Sequence, residues 1–132
     1  DTMILPVDYQ VTSKTVSDSA RIVAESDVQD DDIIIAVGPK TLALVQAITP
    51  QAATIVINGL PGFYEFEHTL DSAKGLLTSI TQSTAHTIVC GSDSIALAEK
   101  YNFLPQFTYV STGGGATLAY LAGQILPGLH YL

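Results

Sequence analysis

Short apolar runs, each closed by glycine or proline, punctuate this chain. Ile33–Val37 is wholly apolar and ends at Gly38-Pro39, the pattern of a buried strand in a parallel sheet. Pro39 suits the first turn of a helix over 40–48. A second, β-branched run at 54–57 ends in Asn58-Gly59-Leu60-Pro61-Gly62. Leu70, Ala73, Leu76, Leu77 and Ile80 then recur at helical spacing, which predicts an amphipathic helix over 70–82. His86–Cys90 is a third apolar run, closed by Gly91-Ser92-Asp93-Ser94, with a helix expected over 94–101. The fourth, at 107–110, leads through Ser111, Thr112, Gly113, Gly114 and Gly115 into a small-residue helix over 116–122. Ahead of these, 3–11 reads as a strand broken by Pro6, and 15–32 is mostly polar. The adjacent Asp30, Asp31 and Asp32 share no face of a regular element and read as a solvated turn. Residues 124–132 close the chain with Leu-Pro-Gly and two ring-bearing residues.

Strand, loop and helix recurring four times predict an α/β fold: a Rossmann-like, doubly wound parallel sheet with helices on both faces, a three-layer sandwich. The length of 132 residues suits one domain spanning 1–132, with enough chain to bury a core. In such sheets ligands lie outside the carboxyl ends of the strands. The four unusual loops, GPKT, NGLPG, CGSDS and STGGG, all fall at that position in the predicted order.

Charge narrows the chemistry. The chain is 47% hydrophobic but only 14% charged, with a formal net charge of −8. Its five basic residues, Lys14, Arg21, Lys40, Lys74 and Lys100, are scattered, which argues against a nucleic-acid surface. A phosphate site would therefore use backbone N–H groups and a metal ion. The single cysteine, Cys90, excludes an internal disulfide framework and fits a reducing, cytoplasmic setting. No apolar run has membrane-spanning length, and the first eight residues do not resemble a signal peptide. The missing initiator Met leaves room for the chain to be cut from a longer protein.

Individual loop residues keep two readings each. The triple glycine either permits close strand–helix packing or, at a helix N-terminus, cradles an anion. Asp93 is either a helix N-cap or a carboxylate ligand for Mg²⁺, with Ser94 offering a hydroxyl or N–H to phosphate. Glu65 is a solvated loop acid or an acceptor for ribose hydroxyls beside apolar side chains that enclose a base. Asn58 contacts phosphate or closes an Asx turn. His68, His86 and His130 show no metal-ligand spacing, Cys90 reads as a buried thiol, and Ser111 lacks a GxSxG frame. No catalytic base stands out, and phosphoryl transfer does not demand one.

As an ordered set, these motifs resemble the C-terminal, nucleotide-binding lobe of phosphoglycerate kinase. The series is LPVD at Leu5 to Asp8, GPKT at Gly38 to Thr41, NG..G..E from Asn58 to Glu65, G.DS at Gly91 to Ser94, STGGGATL from Ser111 and LPG from Leu126. The resemblance implies reversible phosphoryl transfer between 1,3-bisphosphoglycerate and ADP, giving 3-phosphoglycerate and ATP in glycolysis, with Mg²⁺. It implies that Glu65 binds the ribose and Asn58 lies beside the nucleotide phosphates. Asp93 would hold the metal–nucleotide, Gly91 and Ser94 would sit near phosphate, and Gly113, Gly114 and Gly115 would offer N–H groups to the phosphoryl group in transit.

The chain also departs from the family pattern. Ala36-Val37 stand where DIGPKT has DI, Leu60 replaces a proline of NGPMGVFE, and Cys90 and Ser92 replace two glycines of GGGD. Ala119 and Ala122 take acidic positions of LELLEG. The family's glycine- and lysine-rich segment ahead of LPVD and its N-terminal substrate lobe are not in these 132 residues. The expectation is a kinase fragment that supplies the Mg-nucleotide site and is inactive alone, with exposed edges that would favour self-association. The alternative is a non-catalytic, kinase-derived module for nucleotide binding or protein interaction.

Overall fold

The computed structural model describes residues 3–13 and 19–129. Lys14, His130 and the end of the 124–132 segment lie outside them, as do 15–18 of the polar stretch. Two sheets form. In the first, β1 (Asp8–Thr12) is flanked by β2 (Arg21–Ala24) and β3 (Ile33–Val37), both antiparallel to it. In the second, β4 (Thr54–Asn58), β5 (His86–Cys90) and β6 (Tyr109–Ser111) run parallel in that order. Helices α1 (Pro39–Ile48), α2 (Asp71–Thr81), α3 (Ser92–Lys100) and α4 (Gly114–Leu121) follow β3, β4, β5 and β6.

The α/β architecture with a parallel sheet is as expected, and two assignments within it are corrected. Ile33–Val37 is a strand but belongs to the antiparallel sheet, so the GPKT loop does not stand at the carboxyl end of the parallel one. A continuous apolar run marks a buried strand without naming its neighbour. The second correction is β2, inside a stretch read as polar. Ile22 and Val23 there pair with Gln10 and Tyr9, and Arg21 forms an ion pair with Asp32. Asp32 also accepts the Gln29 N–H at 2.9 Å, so it anchors the turn while Asp30 and Asp31 are exposed.

The core lies on one face of the parallel sheet. Ile57 and Val89, cross-strand partners, pack against Leu77 and Ile80 of α2, Ala98 of α3, and Phe107. Leu70, Ala73 and Leu97 form a second cluster between α2 and α3. At the start of β6, Thr87 and Thr108 exchange reciprocal bonds, each backbone N–H donating to the other's hydroxyl at 3.1 Å. Because side chains alternate along a strand, Tyr109 and Ser111 point to the opposite face. There α4 begins, with the Ser111 and Thr117 hydroxyls 2.7 Å apart. None of the residues of α4 is buried, and Tyr109, Leu118, Tyr120 and Ile125 are exposed apolar surface.

The LPVD and GPKT motifs meet in space. Asp8, 2% exposed, accepts the Lys40 N–H at 2.9 Å, the Thr41 N–H at 2.7 Å and the Thr41 hydroxyl at 2.7 Å. The carboxylate therefore serves the unpaired N–H groups at the start of α1, a role a cap residue usually fills locally. A Cβ on Gly38 would lie 2.3 Å from the Asp8 carboxyl carbon, so glycine is what lets the two segments meet. Burial opposes ionisation of Asp8, but the bonds from Thr41 and Lys40 together outweigh it and hold its pKa below the ordinary 3.8.

Replacing Asp8 by Ala is expected to cost about 2 kcal/mol in urea denaturation at neutral pH, the scale of a lost cap with buried donors left unpaired. A carboxyl with a depressed folded pKa contributes its stability above the unfolded value and loses it as pH falls through the folded one. The gap between wild type and Asp8→Asn should thus narrow below pH 3.8. A gap that is constant with pH would refute this role.

Candidate nucleotide site

The parallel register fixes the site. Asn58 is the partner of Cys90, and Cys90 of Ser111, so the three loops leave the sheet at one level. Gly91, with φ +88, is the N-cap of α3. A Cβ on it would lie 2.8 Å from Asn58 Oδ1, and one on Gly114 would lie 3.7 Å from the Gly91 Cα. Asn58, Gly91 and Gly114 are therefore neighbours at the carboxyl end of the parallel sheet. The Ser94 hydroxyl is buried and accepts the Gly59 N–H at 2.9 Å, joining α3 to the loop after β4.

Asp93 is not an N-cap: it lies inside the first turn of α3, exposed, with Gly91 before it as the cap. It lines a cleft of about 570 Å³ together with Glu65, Tyr64, Leu60 and Leu97, a volume in the range of small-molecule sites. A smaller recess between Asn58, Gly59, Gly91 and Ser94 also reaches Asp93. Glu65 and Asp93, far apart in sequence, thus line the same cleft, whose lining carries no basic side chain.

The glycine triplet divides its work. Gly113 precedes α4, Gly114 adopts φ +34, and a Cβ on Gly115 would meet nothing within 4 Å. Neither Gly91 nor Gly113 supplies a side-chain cap to the N–H groups that follow it in α3 and α4, and the Gly113 N–H itself donates to the Ser111 hydroxyl at 3.3 Å. Of the two lost glycines, Cys90 turns inward. It is fully buried, its thiol pointing at the Ile57 carbonyl at 2.9 Å, and burial raises its pKa. Ser92 is exposed, 3.4 Å from Asp93 Oδ1. The glycine that the backbone needs, Gly91, is kept.

The family model described as phosphoglycerate kinase matches residues 1–124. The chain belongs to the phosphoglycerate kinase family. A phosphoglycerate kinase of Coxiella burnetii (strain RSA 493 / Nine Mile phase I) is 40% identical over 129 residues, 97% of this chain and 33% of that protein. The solved structure of phosphoglycerate kinase from Coxiella burnetii superposes with a TM-score of 0.84 at 38% identity, over 92% of this chain and 32% of that one. The crystal structure of the Pyrococcus horikoshii OT3 enzyme gives 0.79 at 30% identity, over 94% and 31%. The chain therefore spans about a third of the length of these relatives.

The family implies Mg²⁺, and the donor set can be tested for it. Among the described residues no three His, Cys, Asp or Glu side chains gather into a metal site. Asp93 offers one carboxylate. That suits Mg²⁺ arriving with its nucleotide, since the ion commonly keeps waters and takes phosphate oxygens beside one or two carboxylates. The residues fit a metal–nucleotide rather than a resident ion.

Sequence reasoning missed the Glu67 cluster beside the cleft. Glu67 accepts Lys74 at 2.7 Å, Lys100 at 3.0 Å and the Tyr101 hydroxyl at 2.8 Å. Those bonds hold its pKa down to about 2. The Glu-x₆-Lys spacing was visible, whereas the partners on α3 needed the fold.

Gly91→Ala is expected to destabilise the fold by about 1–3 kcal/mol, because it forces a side chain into positive φ. Gly115→Ala should leave the unfolding free energy within about 0.5 kcal/mol of wild type, having open space for its methyl. Equal losses in denaturation curves of the two variants would contradict this division of the glycines.

Proposed function

We propose that this chain is the nucleotide-binding portion of a phosphoglycerate kinase, acting in reversible phosphoryl transfer between 1,3-bisphosphoglycerate and ADP in cytoplasmic glycolysis. In the forward direction a β-phosphate oxygen of ADP forms a bond to the acyl phosphoryl group. The bond from that phosphorus to the carboxylate oxygen breaks, giving 3-phosphoglycerate and ATP. The observation that carries the reading is the convergence of two uncapped helix N-termini, α3 and α4, at the carboxyl end of one parallel sheet. Such a pair favours phosphate through directed N–H groups and aligned dipoles, and it needs no lysine in a chain of net charge −8.

Each residue then has a task. Glu65 accepts the ribose hydroxyls, with Leu60, Phe63 and Leu97 as apolar cleft walls for the base. Asp93 holds the metal–nucleotide, and bound Mg²⁺ supplies charge neutralisation of the phosphates. Asn58, Gly91 and Ser94 border the phosphates. Gly114 and Gly115 direct N–H groups to the group in transit, a stabilisation that acts without a general base, and Gly113 joins them when its N–H leaves the Ser111 hydroxyl. The inward turn of Cys90 supports a usable phosphate side rather than a decayed one.

The substrate-binding portion is proposed to come from parent sequence beyond these 132 residues, and the chain by itself is expected to give no turnover in a purified coupled assay. Calorimetric titration of the chain with Mg·ADP should give binding that Asp93→Ala weakens at least tenfold, the loss of one charged contact. Gly115→Ala should weaken it too while leaving the fold intact. Absence of binding by the folded wild-type chain, or undiminished binding by Asp93→Ala, would overturn the assignment.

A further inference from the structure

The loop between β4 and α2, which carries Tyr64 and Glu65 into the cleft, is fastened from two sides. On the inner side Gly62 takes φ +101, where a Cβ would lie 2.4 Å from the Thr69 carbonyl oxygen. The buried Thr69 hydroxyl accepts the Phe63 N–H at 2.8 Å and lies 2.8 Å from the Phe66 carbonyl. On the outer side stands Glu67, two residues past Glu65, with bonds to α2 through Lys74 and to the end of α3 through Lys100 and Tyr101.

Lys100 does more than neutralise Glu67. Its Nζ is 4.9 Å from the Tyr64 ring centre and 5.4 Å from that of Tyr101, while Lys74 Nζ lies 4.7 Å from the Tyr101 ring. All three contacts are within the range of cation–π attraction. The ammonium thus bridges a cleft-lining ring to the acid behind it. Exposed ion pairs contribute little to global stability, so what this cluster does must appear locally, in the order of the loop. Its charges persist through neutral pH, because Glu67 is held at about 2 and Lys74 and Lys100 are raised by bonding to it.

We propose that Glu67 and Lys100 form a latch that fixes Tyr64 and Glu65 against the cleft, making both of them positioning residues for recognition of the nucleotide's ribose. The ribose part rests on the reading of Glu65 given above. Loosening the latch leaves the fold and the phosphate loops in place but lets the ribose-facing carboxylate wander. Affinity for the phosphates persists while selectivity for the sugar hydroxyls goes.

The test compares Mg·ADP with Mg·2′,3′-dideoxy-ADP in wild type, Glu67→Gln, Lys100→Met and Lys100→Arg. Wild type should prefer ADP by about tenfold, the worth of hydrogen bonds to a charged acceptor. Glu67→Gln and Lys100→Met should bring that ratio to about one with unchanged urea midpoints, and Lys100→Arg should keep it. A ratio retained in both disabling variants overturns the latch. Amide hydrogen exchange decides the positioning independently of any ligand: residues 63–66 should exchange about tenfold faster in Glu67→Gln, with α2 unchanged, and equal rates overturn it. A wild type that binds both nucleotides equally instead overturns the assignment of Glu65 to the ribose, and the exchange comparison still decides the latch.

Discussion

The pairing of Asn58 with Cys90 and Cys90 with Ser111 is the constraint on which the site depends. Parallel strands in register must release their loops at the same height, and crossover connections place a helix start directly behind each loop. Here that brings the N-termini of α3 and α4 together across Gly91 and Gly114. Slipping β6 by one residue would turn Val110 out of the core and lift the glycines off the site. The reciprocal Thr87–Thr108 bonds at the base of β6 oppose that slip.

Helix N-termini have two fates in this molecule. That of α1 is served by the buried carboxylate of Asp8 and is closed to any external anion. Those of α3 and α4 receive no capping side chain. Under the proposed function this difference would let a strongly acidic chain take phosphate on backbone N–H groups, three of its basic side chains being engaged elsewhere. Arg21 pairs with Asp32, and Lys74 and Lys100 gather on Glu67. Backbone dipoles attract an anion at close range, within the first turn of each helix.

Much of this was legible in the sequence because it is local. β-Branched runs named the parallel strands, the spacing of Leu70, Ala73, Leu77 and Ile80 named α2, and glycine clusters named the loops. The ordered motifs pointed to the family on which the comparisons agree. What escaped was partnership at a distance. Ile33–Val37 has the composition of a buried strand, but nothing in it says that β1 lies beside it. Asp8 and Gly38 each looked ordinary until the fold closed the space between them to less than a methyl group's width. Arg21–Ala24 was hidden by polar neighbours, and Asp93 looked like a cap because the helix start was set two residues late. The Tyr101 hydroxyl comes to Glu67 from 34 residues away, beyond any local pattern.

The most direct measurement is a ¹⁵N–¹H correlation spectrum of the chain recorded through a titration with Mg·ADP. The amides of residues 91–94 and 113–116 are expected to shift together and saturate at one affinity, while those of Gly38, Lys40 and Thr41, already bonded to Asp8, stay in place. Shifts centred on the start of α1, or on α3 without α4, would contradict the paired N-termini as the phosphate site.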